Sequence, residues 1–303
     1  MNRRQSLGGG GARGFIPLKG KFLTHLHIDQ NNVIMNNRFS KCEVNMKKGF
    51  TLAEVLITLG IIGVVAAMTM PTLIGKYKER ETITKLKKIN SVMNQAFYMA
   101  VKDHGSPELW GWSASIFSEE DDAKEQTDKG KNVFIDKIAP YLKTTSICRF
   151  GESCRNNSKY KRDVYSLDGT PKRGDNFLGT PAIMLADGST IEDFWVSSND
   201  CSYNYGASKP LHNAVCAEIW VDINGVKKPN VIGKDIFWFF MSRYGIYPGG
   251  LQDQGDYFAL RCHLAHPGDG NGYACAAWVI YNENMDYLRC NDLSWNGKRK
   301  CSE

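Results

Sequence analysis

The hydrophobic positions of this chain change their period along its length. From Phe50 to Gly75 the residues are apolar on every side of a helical wheel, and Glu54 is the one charge among them. A helix rises about 1.5 Å per residue, so the stretch from Phe50 to Met70 reaches roughly the 30 Å of a bilayer hydrocarbon core. Beyond Pro71 the pattern becomes amphipathic. Ile83, Leu86, Ile89, Met93, Ala96, Phe97 and Ala100 recur at steps of three and four, with Lys85, Lys87 and Lys88 between them. The spacing predicts one helix from Phe50 to about Val101, its second half packed on a globular domain. Pro71 should bend it, since proline removes a backbone donor and crowds the preceding turn. His104-Gly105-Ser106-Pro107 ends it.

From about residue 106 onward the chain reads as loop-rich α+β. Asn132 to Leu142 predicts a short helix. Ala182 to Leu185 and Thr190 to Val196, joined at Asp187-Gly188, carry hairpin chemistry. Ala217 to Asp222 and Asp235 to Met241 are further strands, and no internal repeat or low-complexity linker separates them. The expected organisation is a leader at 1–49, a transmembrane helix at 50–75, its amphipathic continuation at 76–104 and a globular head at 105–303.

Charge sharpens this division. Residues 1–49 carry nine Lys and Arg against Asp29 and Glu43, a balance of +7 in a chain whose net charge is +6. The remainder is therefore nearly neutral, which removes the basic footprint expected of a nucleic-acid-binding protein. Residues 1–45 have no sustained apolar period, and Met46-Lys47-Lys48-Gly49 is a compact leader by itself, so translation is expected to start at Met46. The glycine run from Gly8 to Gly11 lacks the preceding strand and following Gly-Lys-Ser/Thr of a phosphate loop, and His25 and His27 are read as solvated side chains.

Lys47 and Lys48 precede the apolar run and hold its start on the cytoplasmic side, leaving the rest of the chain outside the cytoplasm. Cys42 lies in the leader; eight more follow the helix, at Cys148, Cys154, Cys201, Cys216, Cys262, Cys275, Cys290 and Cys301. An even set beyond a membrane-targeting segment points to disulfides in an oxidising compartment. Many pairings are open to eight cysteines; sequential neighbours are the simplest of them.

Glu54 does not belong in an ordinary signal or anchor. A carboxylate five residues into an apolar helix is costly in lipid and marks a function or a partner. Gly49-Phe50-Thr51-Leu52-Ala53-Glu54, with the uncharged run after it and Pro71 beyond, resembles the prepilin cleavage and methylation motif of type IV pilins and type II secretion pseudopilins. A weaker resemblance to bacterial pilin-like proteins lies at Asp222 to Asp235. The likeness implies a pilin-like fold: a long, partly transmembrane helix packed on a small-sheet, disulfide-stapled head. It implies that a prepilin peptidase cuts after Gly49 and N-methylates Phe50, and that Glu54 sets register among packed subunits. An inner-membrane assembly platform and other pilin or pseudopilin subunits are the implied partners. The inner membrane, and then a filament in the periplasm or at the cell surface, are the implied locations.

Asp222, Asn224, Asn230 and Asp235, with Gly225 and Gly233, offer hard oxygen donors in a flexible loop that suit calcium, against the commoner reading of an Asx-stabilised turn. Cys262, His263, His266 and Cys275 do not match a zinc spacing and are read as part of the oxidised framework. Catalytic signatures such as Gly-x-Ser-x-Gly, HExxH and Walker A are absent, and Glu192-Asp193 is read as surface flanking the Asp187-Gly188-Ser189 turn. The chain is thus expected to be a non-enzymatic filament subunit without cofactor. Its rivals are a minor tip subunit with an adhesive or ligand-binding head and a membrane-anchored binding protein or enzyme.

Overall fold

The computed structural model describes residues 49–302 apart from 117–119, 157–161, 173–179, 205–212, 255–256, 265–267 and 269. The leader residues, Cys42, the two leader histidines and His266 lie outside the described set. Residues up to Leu56 and residues from Ile57 onward are two units, and helix α1 (Leu52–His104) has its first turn in one and its remainder in the other. It continues through Pro71.

In the second unit, α1 is exposed over its apolar part and buried along one stripe further on, at Leu86, Ile89, Met93, Ala96, Phe97 and Ala100. Burying each of the larger side chains in that stripe contributes about 1.5–3 kcal/mol. The stripe is the predicted one, and three- and four-residue steps place it on a single helical face.

The stripe packs against a six-stranded antiparallel sheet in which each strand pairs with its sequence neighbour. The strands are β1 (Thr144–Ile147), β2 (Ile183–Leu185), β3 (Thr190–Val196), β4 (Val215–Asp222), β5 (Ile236–Ser242) and β6 (Gly245–Pro248). β5 is buried at all seven positions. Phe237, Phe239 and Met241 enter the main core with α1, while Ile236, Trp238 and Phe240 enter a second cluster with Val215 and Trp220. A strand covered on both faces reads as a continuous apolar run, as Ile-Phe-Trp-Phe-Phe-Met does here.

Helix α2 (Asp121–Ile138) begins eleven residues before the predicted helix and ends four residues short of it. Its first turns are charged and lack an apolar period, which hid them. Asp121 and Asp122 nevertheless sit where the helix dipole favours acids, and Lys129 pairs with Glu125 one turn away. Gly130 lies within α2 because the Ser113 carbonyl crosses the helix there; a Cβ would fall 1.9 Å from that oxygen. β1 and β6 were not predicted. β1 is Thr-Thr-Ser-Ile with a mostly exposed face, and β6 is four residues with Gly and Pro at its ends, so neither shows alternation. Two short helices, α3 (Tyr257–Arg261) and α4 (Cys275–Asn282), complete the unit, with α4 buried at six of its eight positions.

β3 is not a regular strand. Ile191, Phe194 and Val196 all enter the main core, yet positions 191 and 194 of a regular strand face opposite ways. The pairing with β4 shifts between Ile191 and Asp193, and this bulge adds the residue that resets the phase. Glu192 and Asp193, read from sequence as surface, are both fully buried at the bulge.

The eight distal cysteines form four sequential disulfides: Cys148–Cys154, Cys201–Cys216, Cys262–Cys275 and Cys290–Cys301. Cys262 and Cys275 are thereby bonded to each other, and His263 faces the carbonyl of Asn291 at 2.6 Å.

Candidate functional site

At the start of α1, Thr51 and Glu54 satisfy each other. The Glu54 backbone N–H donates to Thr51 Oγ1 at 3.2 Å, while the Thr51 N–H and hydroxyl donate to Glu54 Oε2 at 2.9 and 2.8 Å. This is a capping box, which supplies partners for N–H groups left open at a helix start. Its consequence is positional. The helix begins after Thr51, so Gly49 and Phe50 lie in non-helical, exposed chain. A peptidase needs an extended segment, and the cap keeps the Gly49–Phe50 bond out of the helix. Gly49 itself has no local reason to be glycine: a Cβ there meets nothing within 4 Å.

The apolar side chains that follow have no cover. Leu56, Ile57, Leu59, Ile61, Ile62, Val64, Val65, Met68 and Met70 are all exposed. Contiguous apolar surface on this scale is unusual on a monomer and marks a membrane or protein contact. The segment is long and apolar enough to cross a bilayer.

The loop from Asp222 to Asp235 is held by internal hydrogen bonds. Asp235 accepts from the Asn230 N–H at 2.8 Å, the Val231 N–H at 2.6 Å and Asn224 Nδ2 at 3.0 Å. Asp222 accepts from the Asn224 N–H at 2.9 Å and from Arg162 at 3.0 Å. Gly225 and Gly233 take positive φ, and a Cβ at Gly225 would meet the Gly188 carbonyl oxygen at 2.5 Å. The four oxygen-bearing side chains named from sequence are therefore brought into one cluster, with two carboxylates occupied by donors. Asn224 Oδ1 and Asn230 Oδ1 are buried without a donor among the described residues.

The structure adds charges that sequence reading missed. Arg162 bridges Glu192 at 2.8 Å and Asp222 at 3.0 Å. On the other side of the β3 bulge, Lys131 of α2 donates to both oxygens of Asp193, at 2.9 and 3.1 Å. Burial, and then the negative charges of Glu192 and Asp235, push the Asp222 carboxyl well above its ordinary range. Burial likewise raises Asp235 and Asp193, the latter against the pull of Lys131. For Arg162, burial is outweighed by Glu192 and Asp222, and its pKa rises. The available signal was Glu-Asp inside an apolar strand, which marks a bulge as readily as a surface. Among the described residues, Cys148, Glu152 and Cys154 also lie close enough to share an ion, but the two sulfurs are bonded together.

A capped N-terminal motif leading into an exposed apolar helix, together with a disulfide-stapled α+β head, defines a type IV pilin-like protein. Residues 44–70 match the prokaryotic N-terminal methylation motif, which carries processing by a prepilin peptidase and assembly with other pilins. Residues 72–259 match a family of unknown function (DUF6613), and the chain belongs to that family. No curated protein and no solved structure matches the chain.

Proposed function

We propose that this chain is a structural or assembly subunit of a type IV pilus or type II secretion pseudopilus. It is cut after Gly49, N-methylated at Phe50 and packed into the filament through α1. The observation that carries this reading is the apolar, uncovered stretch of α1 from Leu52 to Gly75, with Glu54 as its single charge. In the membrane before assembly, lipid covers that surface; in a filament, neighbouring helices do. Glu54 then pairs with the new amino group of Phe50 on a neighbouring subunit or its own. Pairing offsets part of the desolvation of both charges, and a slipped register leaves them unpaired. No step of this role requires catalysis by the head, which lies outside the cytoplasm. The fold of the head also fits a minor subunit at the filament tip, because its four disulfides suit an exposed position.

The test is the intact mass and N-terminal sequence of membrane-extracted protein, made with and without a prepilin peptidase. An N-methylated Phe50 that appears only with the peptidase supports the reading. An uncut N-terminus under both conditions makes α1 a plain anchor and moves the question to binding or catalysis by the head.

A further inference from the structure

The four disulfides are not equivalent in their surroundings. Cys201–Cys216 and Cys262–Cys275 are buried at every sulfur-bearing residue. Cys290–Cys301 is half-buried, with Cys290 against the main core and both sulfurs near the Asp286 carbonyl, at 3.6 and 3.4 Å. Cys148–Cys154 differs: Cys154 reaches solvent, Cys148 is half-buried at the end of the outermost strand β1, and neither belongs to the core.

We propose that Cys148–Cys154 is a thiol-exchange site, opened by a dithiol without unfolding the head. Access governs exchange, because an attacking thiolate must approach a disulfide sulfur directly. One thiolate of the dithiol attacks Sγ of Cys154, and Cys148 leaves as a thiolate that takes up a proton. The second thiolate attacks the dithiol's own sulfur in the mixed disulfide and releases Cys154. The dithiol departs as a disulfide, having given two electrons, and two cysteine thiols remain.

The loop is held by more than the disulfide, so opening it is local. Asn132 of α2 donates Nδ2 to the Phe150 carbonyl and accepts the Phe150 N–H, each at 3.0 Å. The Phe150 ring is buried against Phe194, and the Arg155 guanidinium covers it at 4.2 Å. Arg149 pairs with Asp136 at 2.7 Å, and the Cys148 N–H remains in a hydrogen bond with Ala182. The two cysteines are six residues apart, so the ring that the bond closes is the shortest of the four, and its loss frees the least chain entropy among them. Glu152 Oε2 stands 3.5 Å from Cys154 Sγ and repels an incoming thiolate. This inference does not depend on the filament reading, since it concerns the head alone.

The test is graded dithiothreitol on the native, detergent-extracted full chain, with iodoacetamide trapping, peptide mapping and circular dichroism. Labelling at Cys42 is scored separately. The expected result is alkylation of Cys148 and Cys154 first, with the other three bonds intact and the spectrum unchanged. Glu152→Gln, which keeps an oxygen to accept the Arg149 N–H, should speed that labelling several-fold. First labelling at any other pair, simultaneous labelling of all four, or loss of secondary structure on opening Cys148–Cys154 overturns the proposal.

Discussion

Asn94 of α1 binds the free edge of the sheet as a strand would: its Nδ2 donates to the Ile246 carbonyl at 2.8 Å, and its Oδ1 accepts the Ile246 N–H at 3.0 Å. β6 is the last strand of the sheet, and Ile246 is buried, so these backbone groups have no water to turn to. One amide thus closes an edge and docks the buried stripe of α1 in a single orientation.

Asn94→Ala should therefore destabilise the head well beyond the loss of one exposed side chain. Leaving a buried donor and a buried acceptor unpaired costs about 2–4 kcal/mol together. In thermal unfolding of the detergent-extracted chain, that is a fall in Tm of roughly 5–10 °C. An unchanged Tm would show that the β6 edge finds other partners.

Gly130→Ala sets two effects of opposite sign against each other. Alanine in a helix interior ordinarily gains about 1 kcal/mol over glycine. Here the added methyl would lie 1.9 Å from the Ser113 oxygen and 2.9 Å from its carbonyl carbon, so backbone must shift. The collision wins, and the expected outcome is a lower Tm. Gly75→Ala is the control, since a Cβ at that helical position meets nothing within 4 Å; it should leave Tm level or raise it slightly.

The buried carboxylates give stability a pH dependence of unusual sign. Asp222 holds its proton more tightly folded than unfolded, because burial, Glu192 and Asp235 raise its pKa. Its contribution is fully present below the unfolded value of about 3.9 and is lost as pH rises through the folded pKa. Asp187 works the other way: against burial, Lys88 and Ser189 hold it down at about 2, so its contribution is lost as pH falls from near 4 toward that value. Asp222→Asn should flatten the decline in Tm with rising pH above 4 and leave the acid limb in place. A wild-type Tm that does not decline over pH 4–8, or a decline unchanged by Asp222→Asn, would overturn this account.

Glu54 combines two roles that one substitution can separate. Glu54→Gln keeps an oxygen for the Thr51 N–H and hydroxyl, so the capping box survives, while the charge is gone. Cleavage at Gly49 should proceed as in the wild type, because the scissile segment stays outside the helix. Incorporation into filaments should fall at least tenfold, scored by immunoblot of sheared filaments. Normal incorporation would remove the charge-pairing argument and leave Glu54 as a cap.

The sequence by itself determined what rests on neighbours along the chain. The period of Ile83 to Ala100 specified which face of α1 is buried, Gly49 to Glu54 specified the pilin-like motif, and Asp187-Gly188 specified the hairpin between β2 and β3. Each is a local signal, read over a few residues. Tertiary structure decided the rest, because those features depend on residues far apart in sequence. Glu192 and Asp193 look like surface until the bulge and the distant Lys131 and Arg162 bury them. Gly130 looks like a flaw in a helix until Ser113 crosses it, and the open side of the edge strand β6 is satisfied at Ile246 by Asn94, some 152 residues away. A polar group buried by folding needs a partner, and which group supplies it is settled only when the chain has closed on itself.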